Sequence, residues 1–348
     1  MGFQARERLA RQAREDGLFQ DCAWCVFTAD GMQEQSHAGP SPMDAVYDLA
    51  SLTKPFTATA ALAIGEERGL SLDAPLCSLP GGLVNALPER PSALARERLS
   101  AMTMRRLMTH TSGLQAWYPF YADGRPFWQT MADRLEAPPQ TGMVYSDLNF
   151  MLMRELLCRI TGLSYPDVIR QYVSRPLGLD FLDFAPLPEG VAAAPCCRDN
   201  AIEERMCRER GMRFNGFRPH DQTVCGQAND GNAFYYFHGV SGHAGLFGAL
   251  SSVAGLGRFY LRREDPWFLQ ALEPQPGCEG CCVGFHTGGS FPTGCGHTGF
   301  TGTSLWIDRE RGLGMVILTN RLMSPTVASP DLLAFRLSMH RTMLEAGE

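Results

Sequence analysis

The stretch Tyr47–Gly69, YDLASLTKPFTATAALAIGEERG, carries the only lysine in 348 residues, Lys54. The other 30 of the 31 Lys and Arg residues are arginine, and Lys54 falls three residues after Ser51. A bias toward arginine with one chance survivor explains the count. Chemistry explains it better, because a lysine can lose its proton inside a protein and an arginine cannot. The small apolar run from Leu52 to about Glu67 reads as a helix, with Gly69 as its C-cap. Pro55 is tolerated only in a first turn, so that helix begins near Ser51. Residues i and i+3 share a helix face, which lets Lys54 reach back to the Ser51 hydroxyl. Unpaired N–H groups at a helix start favour a developing alkoxide and disfavour an ammonium, and burial acts the same way. These effects are expected to bring the amine from about 10.4 toward 7, where it acts as a base.

Bulk properties narrow the setting. Hydrophobic content of 45% and charged content of 20% describe an ordinary globular chain with ample material for a core. A formal charge of −6 argues against a nucleic-acid partner. No apolar run of about 18 or more residues is present, so no membrane span is expected. The opening MGFQARERLARQAREDGLF lacks an apolar signal core and fails the myristoylation pattern, which makes a cytoplasmic location the default. The 12 cysteines are expected to be reduced thiols. Cys22-x-x-Cys25 and Cys278-x-x-Cys281 lie at opposite ends of the chain, and we read them as small hydrophobes rather than zinc knuckles. No metal and no cofactor is expected.

Strand patterns sit at both ends. CAWCVFTADG and AVYDLAS read as strands, and TSLWID with LGMVILTN flanks RERG as a hairpin. Helices are expected over residues 3–16, in MRRLMTH, DLNFMLMRELLCRITG, SYPDVIRQYVSRPLG and SSVAGLGRFYLRR, and from about 330 to 344. Residues 183–233 read as long loops. The simplest architecture is α+β: an α/β/α sandwich whose antiparallel sheet is assembled from both termini, plus an all-helical insertion. In residue terms, 1–66 and 234–348 would form the sheet domain and 67–233 the insertion.

Two further stretches join YDLASLTKPFTA. In TGMVYSDLNFMLMRELL, Tyr145 is presented from a loop just before a helix that starts at about Asp147. In GCGHTGFTGTSLWID, His297-Thr298-Gly299 opens a strand-like segment. Together the three resemble the motifs of serine β-lactamases and penicillin-binding proteins, most closely the class C β-lactamase group with its DD-peptidase, D-aminopeptidase and esterase relatives. LMTHTSGL and GVSGHAGLFG add to the resemblance, which spans about Tyr47 to Asn320.

The resemblance implies a β-lactamase/transpeptidase-like fold and a set of roles. Ser51 attacks a carbonyl and forms an acyl-enzyme, Lys54 accepts its proton, and Tyr145 shuttles protons to the leaving group and from water. The backbone N–H groups of Ser51 and Phe300 form the oxyanion hole. Asp147, His297, Thr298 and Gly299 line the cleft and bind substrate, a small molecule or short peptide. Two departures from the pattern matter. The second motif usually reads Tyr-x-Asn, but here it is Tyr145-Ser146-Asp147, and a carboxylate there would raise Lys54. His297 stands where many β-lactamases carry lysine, so its grip on a substrate carboxylate would depend on pH. Both favour an amide- or ester-cleaving hydrolase over a β-lactamase. The motifs also allow a slow penicillin-binding sensor or a non-catalytic relative.

Competing readings of single residues are weaker. Ser241 in GVSGH lacks the second glycine of a nucleophile elbow, and a Schiff-base lysine leaves Tyr145 and the His-Thr-Gly stretch unexplained. His110 and His243 read as loop-structuring residues. Trp117, Tyr118, Phe120 and Trp128 either floor the cleft or pack a loop.

Overall fold

The computed structural model describes residues 2–89, 93–220, 222–276, 278, 280–324 and 329–344. Its strands are β1 (Cys22–Thr28), β2 (Met32–Ala38), β3 (Tyr47–Asp48), β4 (Leu182–Phe184), β5 (Leu246–Gly248), β6 (Cys295–Thr298), β7 (Ser304–Asp308) and β8 (Leu313–Thr319). Five form one antiparallel sheet in the order β2-β1-β8-β7-β6, so strands from the two ends of the chain pair directly. Cys22 faces Thr319 and Thr28 faces Leu313 across that junction.

Strand β1 shows why the sheet is covered on both sides. Successive side chains of a strand point to opposite faces. Ala23, Cys25 and Phe27 join the larger core, whereas Cys22, Trp24 and Val26 join a second core. The second core is closed by helices α1 (Gly2–Glu15) and, at the far end of the chain, Ser329–Leu344, through Ala10, Phe335 and Met339. Cys22 and Cys25 therefore lie on opposite faces and cannot share a metal ion. Cys278 and Cys281 are joined as a disulfide, contrary to the expected free thiols, and the other ten cysteines are free.

The larger core surrounds helix α2 (Thr53–Arg68), which is buried almost all round. Small apolar residues on every side of a helix are what a central position requires. Its threonines are satisfied internally. Thr57 Oγ1 donates to Gly242 O at 2.7 Å, and Thr59 Oγ1 donates to Pro55 O at 2.8 Å. Gly69 ends the helix with φ +63, as expected of a glycine cap.

YDLAS does not join the main sheet. Only Tyr47 and Asp48 are in a strand, β3, which pairs with β5, and β5 pairs in turn with β4. This small sheet pulls the loop before β5 beside the residues preceding Ser51. Leu49 N–H donates to Leu246 O at 2.9 Å. Helices α3 (Asp147–Thr161), α4 (Ala201–Glu209) and α5 (Leu250–Arg262) complete what positions the site; α5 packs on β1, β7 and β8. The segment 183–233, read as loop, is mostly irregular but contains α4. Among the described residues, no helix is long and apolar enough to cross a membrane.

Candidate active site

Ser51 occupies a single 3₁₀ turn, Ala50–Leu52, that leads straight into α2. The residue before it, Ala50, is held at φ +46, a region that costs an alanine strain. The surroundings fix it there. Asp48 accepts from the N–H groups of Ala50 (2.9 Å) and Asn229 (2.7 Å). Thr301 and Thr303 hydroxyls donate to the carbonyls of Asp48 (2.7 Å) and Leu49 (3.0 Å). The β6–β7 connection is thereby tied to the backbone that presents Ser51. Gly299 is required at that contact, because a Cβ there would lie 2.1 Å from Thr303 Oγ1 and 2.4 Å from Leu49 O.

Lys54 is fully buried, and its Nζ donates to Ser51 Oγ (2.8 Å), Asp147 Oδ1 (2.8 Å) and the His243 carbonyl (3.2 Å). Three acceptors match the three protons of an ammonium. Burial by itself would lower this amine, but the Asp147 carboxylate and Tyr145 outweigh it and hold it above its ordinary value. The expected depression of Lys54 is therefore reversed, in the direction foreseen for a carboxylate in the second motif. Asp147 stands first in α3, where the helix N-terminus favours a negative charge.

Tyr145 precedes α3, is 39% exposed at the cleft, and interacts through its hydroxyl with Lys54 and Ser51. Desolvation pushes this phenol up, against the pull of Lys54. Tyr145 also lies among imidazoles, with ring centroids 4.5 Å from His110 and 6.0 Å from His297. Burial, with Lys54 and His286 adding to it, pushes His110 down to about 3. His297 also lies well below the ordinary histidine range, through burial and then His286 and Lys54.

Ser51, Tyr145, Asp147, Thr298, Gly299 and Phe300 all line one cleft of about 530 Å³. His297 does not. Along β6 its side chain alternates away from Thr298, is only 3% exposed, and shares a hydrogen bond with the Thr298 carbonyl through Nδ1 (2.9 Å). The expected pH-dependent grip on a substrate carboxylate is thus absent: His297 is buried and neutral. Of the aromatic candidates, Trp117 lines the cleft, while Phe120 is fully buried and Tyr118 and Trp128 pack against the core. Ser241 is sealed off, with its Oγ 2.8 Å from His243 Nδ1, and is not available as an elbow nucleophile.

Several cleft residues carry no sequence signal. From the helical side come Glu203, Asp230, Ile202 and Met206; from the sheet side come Arg321 and Arg336. Glu203 accepts from Gly231 N–H (2.7 Å) and Tyr121 hydroxyl (2.8 Å), and burial plus Asp230 raises it to about 8. Asp230 pairs with His243 Nε2 at 2.9 Å. Donor atoms of Asp147, Asp230 and His243 lie within 4.8 Å of one another, and the cation on Asp147 is the ammonium of Lys54. Arg321 and Arg336 are 8% and 6% exposed, and they bond the carbonyls of Phe300 (2.6 Å) and Thr303 (3.0 Å).

A serine on the turn that leads into a central helix, with a buried lysine behind it and a glycine-tipped strand beside it, has the layout of a β-lactamase-type site. The Beta-lactamase family model matches residues 7–336, and the chain belongs to that family. A putative D-alanyl-D-alanine carboxypeptidase of Salmonella gallinarum (strain 287/91 / NCTC 13346) is 29% identical over 56% of this chain. That match spans only about half (49%) of the relative's own length. An N-acetylmuramyl-L-alanine amidase of Bacillus subtilis (strain 168) is 27% identical over 81% of this chain and 69% of the relative. Among solved structures, a class C β-lactamase from Rhodobacter sphaeroides superposes with a TM-score of 0.71 at 17% identity, covering 98% of this chain and 99% of that one. At that identity the likeness concerns the fold.

Proposed function

We propose that this chain is a serine hydrolase that cleaves an amide or ester bond through an acyl-enzyme on Ser51. The observation that carries the reading is Ser51 Oγ held 2.8 Å from the Nζ of the chain's only lysine, at the floor of a cleft. In acylation, Ser51 Oγ forms a bond to the substrate carbonyl carbon and its proton passes into the Lys54–Tyr145 unit. The carbonyl oxygen takes up negative charge against the N–H groups of Ser51 and Phe300. Collapse breaks the bond to the leaving group, which takes a proton back from Tyr145. Water then attacks the ester by the reverse path.

With Lys54 and Tyr145 both raised, the resting site carries one proton too many for this chemistry. The reactive form is the one that has lost it, and the loss belongs to the coupled pair rather than to either group alone. Two buried guanidiniums, Arg321 and Arg336, line the same cleft with no ion pair to an acidic side chain among the described residues. They favour a substrate that brings its own carboxylate, as a peptide terminus does. The names of the carboxypeptidase and amidase relatives support peptide-like substrates.

The test is intact-protein mass after brief exposure to a penicillin and, separately, to an activated ester, with Ser51→Ala as control. Steady Ser51-dependent turnover of the ester with no penicillin adduct supports the reading. Consumption of penicillin without adduct would point to a β-lactamase, and a persistent adduct to a penicillin-binding peptidase or sensor.

A further inference from the structure

Among the described residues, His110 is one of three non-glycine residues with positive φ, at +58, and it lies beside Tyr145. Histidine enters this left-handed region more readily than most residues, yet the conformation still costs energy and persists only where neighbours enforce it. Here two hydrogen bonds do so. Val144 N–H donates to the His110 carbonyl and Ser146 N–H donates to His110 Nδ1, each at 3.0 Å. In an extended segment the N–H groups of residues i and i+2 point to the same side. The two donors flank Tyr145, so one residue grips the backbone on either side of it.

The imidazole then packs on the tyrosine ring, with centroids 4.5 Å apart and an interplanar angle of 39°. Because Nδ1 accepts from a peptide N–H, its proton sits on Nε2. Asn149, in the first turns of α3, brings its Nδ2 to the same Nδ1 at 3.2 Å and accepts from Ser112 through Oδ1. Tyr145 itself belongs to no helix or strand, and its ring is open on the cleft side. Its aim toward Ser51 and Lys54 is set by what holds positions 144–146, and two of the backbone bonds there end on His110.

We propose that His110 is the positioning residue that sets Tyr145 for proton transfer, a role that rests on the serine-hydrolase reading. In this account the strained backbone of His110 serves to turn its carbonyl and its Nδ1 toward the same extended segment. The sequence reading of His110 as a loop-structuring residue is thereby narrowed to a particular loop and a particular atom.

Two variants of the full chain test this against p-nitrophenyl acetate. His110→Gly accepts φ +58 without strain but has neither ring nor acceptor. His110→Asn tolerates the left-handed region and places Oδ1 at the bond separation of Nδ1. His110→Gly is expected to lower kcat on the order of a hundredfold with little change in KM, the cost of a misplaced proton-transfer group. His110→Asn should recover most of that loss. Amide hydrogen exchange supplies a readout independent of turnover. Ser146 should be protected in wild type and His110→Asn and exposed in His110→Gly, with Val144 protected in all three. Wild-type kcat in His110→Gly, or a Ser146 amide indifferent to the substitution, overturns the proposal. Absence of ester turnover in wild type with the exchange pattern intact would sink the hydrolase reading and leave the clamp standing.

Discussion

Lys54 Nζ stands 2.8 Å from Asp147 Oδ1, across 93 residues of chain, and the same ammonium donates 2.8 Å to Ser51 Oγ. This pairing decides the resting state of the site. A buried lysine beside a serine alone would be driven toward the neutral amine; a buried lysine beside a carboxylate keeps its proton. Asp147 itself stands in the first turn of α3.

The pairing sets a pH dependence. Since Lys54 lies above its ordinary value, the reactive, proton-poor form grows as pH rises, and kcat/KM for an activated ester should climb through the alkaline range. Asp147→Asn removes the charge that raises Lys54 and leaves burial to lower it. The rising limb should then move to lower pH, giving the variant a larger share of its maximal rate near neutrality. Profiles of wild type and variant that superimpose on the pH axis would refute this account.

The difference between what the sequence disclosed and what it hid follows from range. Ser51 and Lys54 are joined by helix geometry over three residues, and CAWCVFT is a short apolar run of strand-forming residues, so both were legible, although the division of that strand between two cores was not. The place of Tyr145 at a loop end was legible because the apolar spacing of the helix that follows it marks where that helix starts. Both signs of the Lys54 shift were legible, lowering by burial and raising by Asp147, but which one wins depends on a contact made by folding α3 against α2. His297 was misplaced for a subtler reason. A strand offers alternate residues to the cleft, and nothing in the sequence says which of His297 and Thr298 faces it. Glu203, Asp230, Arg321 and Arg336 are single polar residues in loops or helices without periodic meaning, and only the tertiary structure gathers them at one cleft.

Lys54→Arg preserves the positive charge and the pairing with Asp147 but cannot act as a base at any accessible pH. Acylation of Ser51, followed by mass, should fall on the order of a thousandfold. The larger guanidinium must also fit a site with no exposed surface, so melting temperature should be recorded alongside. Near-normal acylation in a folded variant would remove Lys54 from the mechanism.

Ala50 gives a stability test at the backbone that presents Ser51. At φ +46 glycine relieves strain of about 1–2 kcal/mol, but it loses chain entropy of about 0.5–1 kcal/mol and one buried methyl of about 0.8 kcal/mol. Ala50→Gly should therefore change unfolding free energy by less than about 1 kcal/mol. Ala50→Val places a β-branched residue in the left-handed region and should cost more than about 2 kcal/mol. Denaturant unfolding of the pair reads the difference directly. Equal stabilities would mean that the turn before Ser51 relaxes easily.

Glu203 offers the clearest linkage between protonation and folding. Its folded value of about 8 exceeds the unfolded one near 4.5, so the native state binds the proton more tightly. Stability is then greatest at low pH and is lost as pH rises from about 4.5 through about 8. Tyr121 explains how the neutral acid is accommodated. Its hydroxyl lies 2.8 Å from Glu203 Oε2 and 3.4 Å from Cys207 Sγ, so it donates to Glu203 when that group is ionised and, when Glu203 is protonated, turns to donate to the sulfur and accepts from the acid. Glutamine reproduces that state, with Nε2 donating to Tyr121 and Oε1 accepting from Gly231 N–H. Glu203→Gln should therefore match wild-type stability below about pH 4.5 and exceed it by about 4–5 kcal/mol above pH 8. Parallel stability curves from pH 5 to 9 would mean that Glu203 is ionised in the folded protein throughout that range.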